Sequence, residues 1–136
     1  MRDKEAGARM QDNDSMQALV IGAGGIGSAI AERWNNDGRF DRIWSISRRA
    51  GAVFPSGDPG EGGRIRALQT DHQEESMRRQ VASITAASPR LARVVIALGT
   101  LHADDYQPEK SLEALSGDAM QAVYQVNCVL PLLWLA

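Results

Sequence analysis

The sequence predicts an α/β protein, a doubly wound parallel sheet in three layers with helices on both faces of the strands. Short apolar runs alternate with amphipathic stretches along the chain. The strand candidates are separated by long helical crossovers, which is how parallel neighbours are connected. Between the first apolar run and the first amphipathic stretch stands VIGAGGIGSAIA, Val20 to Ala31, with four glycines in six positions. The 136 residues, 43% hydrophobic and 5% aromatic, have the length of one domain able to bury a core.

Each element follows in order. Residues 1–16 are polar and aperiodic and are expected to form a flexible tail without function, leaving 17–136 as the folded domain. Gln17 to Ile21 is a short apolar strand ending at the glycines. Ile26, Ile30, Arg33 and Trp34 then recur at helical spacing until Asn35-Asn36-Asp37-Gly38 stops the helix. Arg42 to Ser47, RIWSIS, reads as the second strand, followed by Arg48-Arg49 and the glycine- and proline-rich loop AGAVFPSGDPGEGG. Arg64 to Thr70 is a weaker third strand. Met77, Val81 and Ile84 mark one face of a helix ended by Ser88-Pro89, and Leu91 to Leu98 is a continuous apolar strand closed by Gly99. The last helix is expected to start at Asp118, its carboxylate capping the first turn while Gln121 reaches back. The expected strand order is 3-2-1-4. A full doubly wound dinucleotide fold normally has six strands, so the sheet is expected to be truncated after about four.

Charge and composition exclude several classes. With fifteen Lys and Arg spread among seventeen Asp and Glu, a net charge of −2 and no basic stripe, nucleic acid is not an expected partner. The pI is near 5.6. A lone Cys128 forms no internal disulfide, and the opening MRDKEAGARMQDNDSMQ has no apolar core of a secretory signal, so a reducing cytoplasm is expected. The most apolar stretch, Val126 to Ala136, is interrupted by Asn127 and Pro131 and is shorter than the ~20 residues a bilayer needs, so it reads as buried core or interface. His72 and His102 lack companions at metal-binding spacing, so no metal is expected. Cys128 reads as packing, and Glu74-Glu75 and Asp104-Asp105 as solvated charge.

The glycines carry the first functional signal. Gly22, Gly24 and Gly27 satisfy G-x-G-x-x-G between a strand and a helix, the placement the dinucleotide fingerprint requires. The first glycine permits the tight turn, the second lets a pyrophosphate approach the backbone, and the third lets helix and strand pack closely. Free N–H groups at the helix start then face the anion. The competing reading is a glycine-rich structural turn. Ser47-Arg48-Arg49 next chooses between cofactors. A free ribose 2′-hydroxyl is usually held by a carboxylate there, whereas a 2′-phosphate calls for Arg, so NADP is favoured over NAD. The same missing carboxylate counts against S-adenosylmethionine. The competing reading is that the arginines solvate a strand end.

At these residues the chain resembles the short-chain dehydrogenase/reductase family, especially its compact bacterial C-factor-like and carbonyl-reductase-like members. The resemblance spans Gln17 to Ala136, about the N-terminal half of a family domain, and implies a Rossmann fold. ALVIGAGGIGSAIA is similar to the family's opening ALVTGxxxGIGxxIA, with Gly22, Gly25 and Gly27 matching, a loop one residue shorter, and Ile21 in place of the frequent Thr. By this resemblance Ile26 also lies against the pyrophosphate region. Asp71 in LQTDH resembles the acidic residue beside the adenine. Gly99 in VVIALGTLH matches the last glycine of the NNAG segment, on the nicotinamide-side ribose, while Ile96 and Ala97 replace its asparagines. Asn127 in YQVNCVLPLLWLA matches the asparagine that helps hold a water in an Asn-Ser-Tyr-Lys proton relay; a buried amide capping a kink before Pro131 is the alternative.

Tyr106-Gln107-Pro108-Glu109-Lys110 has the spacing of the family's Tyr-x-x-x-Lys, but Pro108 interrupts the helical ladder and the pair precedes Asn127, so it reads as a surface loop. The family's Ser and Tyr-x-x-x-Lys are expected beyond residue 136. The resemblance thus implies an NADP-dependent oxidoreductase moving hydride between the cofactor and a small carbonyl or alcohol substrate, present as its cofactor-binding half and inactive alone. The alternative is a non-catalytic NADP-binding or interaction module that self-associates through Val129 to Leu135.

Overall fold

A computed structural model describes residues 15–49, 63–87, 90–101, 103, 107–108 and 110–136. The elements run β1 (Gln17–Ile21), α1 (Gly25–Asp37), β2 (Arg42–Ser47), β3 (Ile65–Gln69), α2 (Glu74–Ala87), β4 (Leu91–Ile96), a 3₁₀ turn (Leu112–Ala114), α3 (Gly117–Tyr124), a π turn (Gln125–Val129) and α4 (Leu130–Leu135). The four strands pair in parallel in the order β3-β2-β1-β4. The expected architecture and strand order are both present.

β1 lies at the centre because it is apolar on both faces, and all five of its residues are buried. Ala18 and Val20 face one way and pack with Ala31, Phe40, Ile43 and Ile65, joined by Ile30 and Trp34 of α1. Leu19 and Ile21 face the other way, into Ile46, Met77, Ile84 and Trp134. One helix therefore covers one face while α2 and α4 cover the other, an arrangement that follows from the period-2 alternation of strand side chains.

α1 ends where expected: Gly38 adopts a left-handed φ of 63°, which glycine tolerates without a Cβ clash, and its N–H reaches the Asn35 carbonyl. β3 is flanked by further ladder bonds, Ile43 N donating to Arg64 O and Thr70 N to Ser47 O, so the expected range Arg64 to Thr70 matches the pairing. β4 stops at Ile96 rather than at the expected Leu98. Its partner β1 ends at Ile21, and after Ala97 N donates to Ile21 O that strand offers no further residue to pair with. Met16, in the segment read as tail, is tied to the sheet margin by bonds in both directions with Asp41; residues 1–14 lie outside the described residues.

Asp118 is not the cap of the last helix. The cap is Ser116, which has an extended backbone and accepts from Ala119 N at 3.4 Å. Asp118 sits in the first turn, two residues past the cap, where its carboxylate complements the positive end of the helix. That helix widens into a π turn at Gln125–Val129, with Leu130 N donating to Gln125 O. Pro131 supplies the reason: it has no N–H for the helical ladder, and the chain opens by one residue just ahead of it. The apolar C-terminal stretch divides between core and surface. Trp134 is buried, whereas Leu132 and Leu135 are exposed.

Candidate functional site

The site forms where the carboxyl ends of β1, β2 and β4 meet, the crevice that open parallel sheets use for ligands. At its floor the glycine loop divides its labour. Gly22 has φ +93°, and a Cβ there would lie 2.7 Å from the Ala97 carbonyl oxygen, so only glycine can turn the chain beside β4. A Cβ at Gly27 would overlap the Gly22 carbonyl oxygen, so this position closes α1 onto β1. Gly24 and Gly25 face open space. Gly22 N and Ala23 N both donate to Ile46 O, which pins the loop to the end of β2. The first bond of α1 runs from Ser28 N to Gly24 O, leaving the N–H groups of Gly25, Ile26 and Gly27 without a helical partner.

Ser47, Arg48 and Arg49 leave β2 beside this loop. Ser47 is buried, and its hydroxyl donates to Arg49 O while accepting from Arg49 N. The hydroxyl is therefore used to fold the strand exit into a tight turn that presents both arginines. Arg48 and Arg49 are exposed, and among the described residues neither pairs with a carboxylate. Gln69 Nε2 donates to Arg48 O and steadies the turn from β3.

Gly22, Gly24, Ser47, Arg48, Arg49 and Gly99 come together around one cleft of about 260 Å³, which His72, Leu98, Val126 and Leu130 also line. Arg48 also borders a neighbouring cavity of about 500 Å³ that holds Asp71, Thr70, Ser76 and Arg79. Asp71 Oδ1 accepts from Gln73 N and Oδ2 from the Ser76 hydroxyl, and these bonds, the Gln73 N–H foremost, hold its carboxyl below the usual carboxylate range. Gly25 and Ile26 do not line the cleft; they open onto a shallow apolar groove along α1 with Ala29, Ile30, Arg33 and Trp34.

Asn127 lies in the π turn and is exposed, which removes the reading of it as a buried amide. Its Oδ1 accepts from Thr100 N at 2.7 Å and its Nδ2 donates to Thr100 O at 2.9 Å. Both halves of the amide clamp the chain just after Gly99, whose own Cβ would stand 3.7 Å from Asn127 Oδ1, an ordinary contact. Cys128 is half-buried and free. Glu74 pairs with Arg78 on the surface of α2. His102, Asp104, Asp105, Tyr106 and Glu109 lie outside the described residues.

Two residues of this region escaped the sequence reading. Arg79, on α2, reaches the cavity that Arg48 borders; its helical register was legible, but nothing local says that this face meets the end of β2. His72, dismissed as a metal ligand, has a left-handed φ of 56° and stands in the cleft wall, where burial chiefly, and the Arg48 charge next, lower its pKa. Among the described residues no group of three or more His, Cys, Asp or Glu could hold a metal ion. No helix there is long and apolar enough to cross a membrane.

No family model matches the sequence, and no curated protein does. The fold is nevertheless shared with solved short-chain dehydrogenases and reductases. A 3-ketoacyl-ACP reductase from Sinorhizobium meliloti is 27% identical, with a TM-score of 0.69 over 88% of this chain and 46% of its own. A short-chain dehydrogenase from Streptomyces avermitilis is 18% identical, with a TM-score of 0.68 over 88% of this chain and 41% of its own. ElxO, solved with NADP bound, is 18% identical, with a TM-score of 0.68 over 89% of this chain and 48% of its own. The chain thus spans less than half the length of these structures, and its resemblance to the short-chain dehydrogenase/reductase family lies in this doubly wound region.

Proposed function

We propose that this chain is the cofactor-binding half of a short-chain dehydrogenase/reductase that uses NADP, in which hydride passes between the nicotinamide and a carbonyl or alcohol carbon of a small substrate. One observation carries the reading: a glycine loop with unpartnered N–H groups opens beside a cleft shared with Arg48 and Arg49, with no carboxylate pairing them among the described residues. ElxO, similar in fold, has been solved with NADP bound.

The residues present fit the cofactor. The open space at Gly24, which lines the cleft, is where a pyrophosphate can approach the backbone, met by the free N–H groups and the positive end of α1. Arg48 and Arg49 are placed to bind the 2′-phosphate in charge-assisted bonds, and Asp71 stands by the adenine. Gly99 lies at the nicotinamide-side ribose. By resemblance Asn127 helps hold a water in the family's proton relay; in this chain its side chain clamps Thr100 and holds the exit of β4 in place. NADP(H), when bound, supplies or receives the hydride.

Titration of the 136-residue chain with NADPH and with NADH, followed by calorimetry or fluorescence, tests the proposal. Selective NADPH binding that is lost on Arg48→Ala with Arg49→Ala is the expected result. Equal or absent binding of both by a folded protein would overturn it. The chain alone is expected not to reduce carbonyl substrates, and cofactor-dependent turnover would refute that part.

A non-catalytic interaction module is the second reading. It draws on the exposed Met120, Tyr124, Leu132 and Leu135 of the C-terminal helical segments.

A further inference from the structure

His72 is unusual in three independent ways. Its backbone is left-handed at φ 56°, a conformation uncommon for a side-chain-bearing residue, and such strain concentrates at ligand sites. Its Nδ1 accepts from the indole N–H of Trp134 at 3.3 Å, with the two rings edge to face at 6.0 Å. It lines the cleft of the glycine loop together with Arg48 and Arg49.

These facts combine. Trp134 is a buried residue of α4, sixty-two residues along the chain, and the bond ties the imidazole to the core. An acceptor at Nδ1 places the neutral imidazole's proton on Nε2. Nε2, the far nitrogen of the ring, has no protein partner among the described residues. The neighbours on this wall, Leu98, Val126 and Leu130, are apolar. A flat heterocycle entering here would meet apolar side chains on its faces and one N–H donor at its edge.

Resting on the NADP reading, we propose that His72 is a specificity-determining contact for the purine of the dinucleotide, its Nε2–H donating to a ring nitrogen of the base, with Trp134 as the positioning residue that fixes the tautomer. The purine end of that reading is supported by position: His72 directly follows Asp71 and lies close enough to Arg48 for that charge to act on it. Burial and Arg48 together keep the ring neutral, which the donor-acceptor arrangement needs, against a smaller opposing pull from Asp71.

The test uses adenosine 2′,5′-bisphosphate, which carries the purine and the 2′-phosphate without the nicotinamide, beside nicotinamide mononucleotide, which carries neither. His72→Phe keeps a flat ring without the donor, and His72→Asn tolerates the left-handed backbone with a shorter donor. His72→Phe is expected to weaken the bisphosphate by roughly fivefold, the worth of one neutral hydrogen bond, with His72→Asn in between and the mononucleotide unchanged. Nitrogen-15 spectra of the unmodified chain should report the Nε2–H tautomer, with the Nε2 resonance moving when the bisphosphate is added, and Trp134→Phe should loosen that tautomer. If the unmodified chain binds the bisphosphate and both His72 variants, still folded, bind it within twofold of that, or if the Nε2 resonance stays put, the proposal fails and the NADP reading stands. If the folded chain binds neither the bisphosphate nor NADPH, both fall.

Discussion

Single residues carry opposite duties within one loop. Gly22→Ala and Gly27→Ala each push a methyl group into backbone, the first also against a φ of +93°. Each is expected to destabilise the fold by about 2 kcal/mol or more in urea denaturation. Gly24→Ala meets nothing within 4 Å at a φ of −79°, so the fold should keep its stability to within a few tenths of a kcal/mol, about the cap difference, while NADPH affinity falls as the methyl narrows the pyrophosphate approach. At His72 the sign of the pH effect follows from its lowered pKa. The folded state disfavours the imidazolium, so the unfolded chain binds more protons as pH falls below the ordinary value of 6.5. The stability contribution is fully present above that value and is lost as pH falls through the lower folded one. Denaturation midpoints should drop between pH 7 and 5, and His72→Asn should flatten that drop, with Arg48 and Asp71 the charged groups acting on the ring. Of the residues named from sequence, the glycines were legible because sterics at a tight turn is local. His72 was not, because its φ and its indole partner are set by chain far away.

At the scale of elements, the widened C-terminal helix and the exit of β4 form one unit. Pro131 forces the opening, and Asn127 uses the resulting geometry to hold both backbone groups of Thr100. Asn127→Ala should cost about 1 kcal/mol, modest because the clamp is exposed, and should speed exchange of the Thr100 amide. Asn127→Asp should cost more, since a carboxylate then faces the Thr100 carbonyl without a donor. The interruption by Asn127 and Pro131 was visible in the sequence. The π turn and the use of the amide were not, because they depend on where the end of β4 stands. The cap at Ser116 was missed for a nearer reason: Ser116 and Asp118 are both good capping residues two positions apart, and only backbone conformation distinguishes them.

Over the whole molecule, two apolar layers flank a sheet whose β1 is fully buried while β4 keeps Val94 exposed at one edge. Met120, Leu132 and Leu135 add apolar surface on the C-terminal helical segments. Such surface seeks cover. Sedimentation of the chain should show concentration-dependent association, reduced by Leu132→Glu with Leu135→Glu and with little loss of fold, since both side chains are outside the core. Unchanged association in that variant would place the contact elsewhere, β4 being the alternative surface.

The strands, their order and the glycine loop were determined by the sequence itself, because hydrophobic period, crossover connections and glycine sterics act over short stretches of chain. Tertiary structure alone decided what Asn127 and His72 do. Asn127 clamps Thr100 and His72 takes a bond from Trp134, partners 27 and 62 residues apart, whereas the bonds of Ser47 with Arg49 and of Asp71 with Gln73 span only two residues and are local turns. A hydrogen bond depends on ångström-scale placement of groups from separate elements, and that placement exists only once the sheet and its two covering layers have assembled.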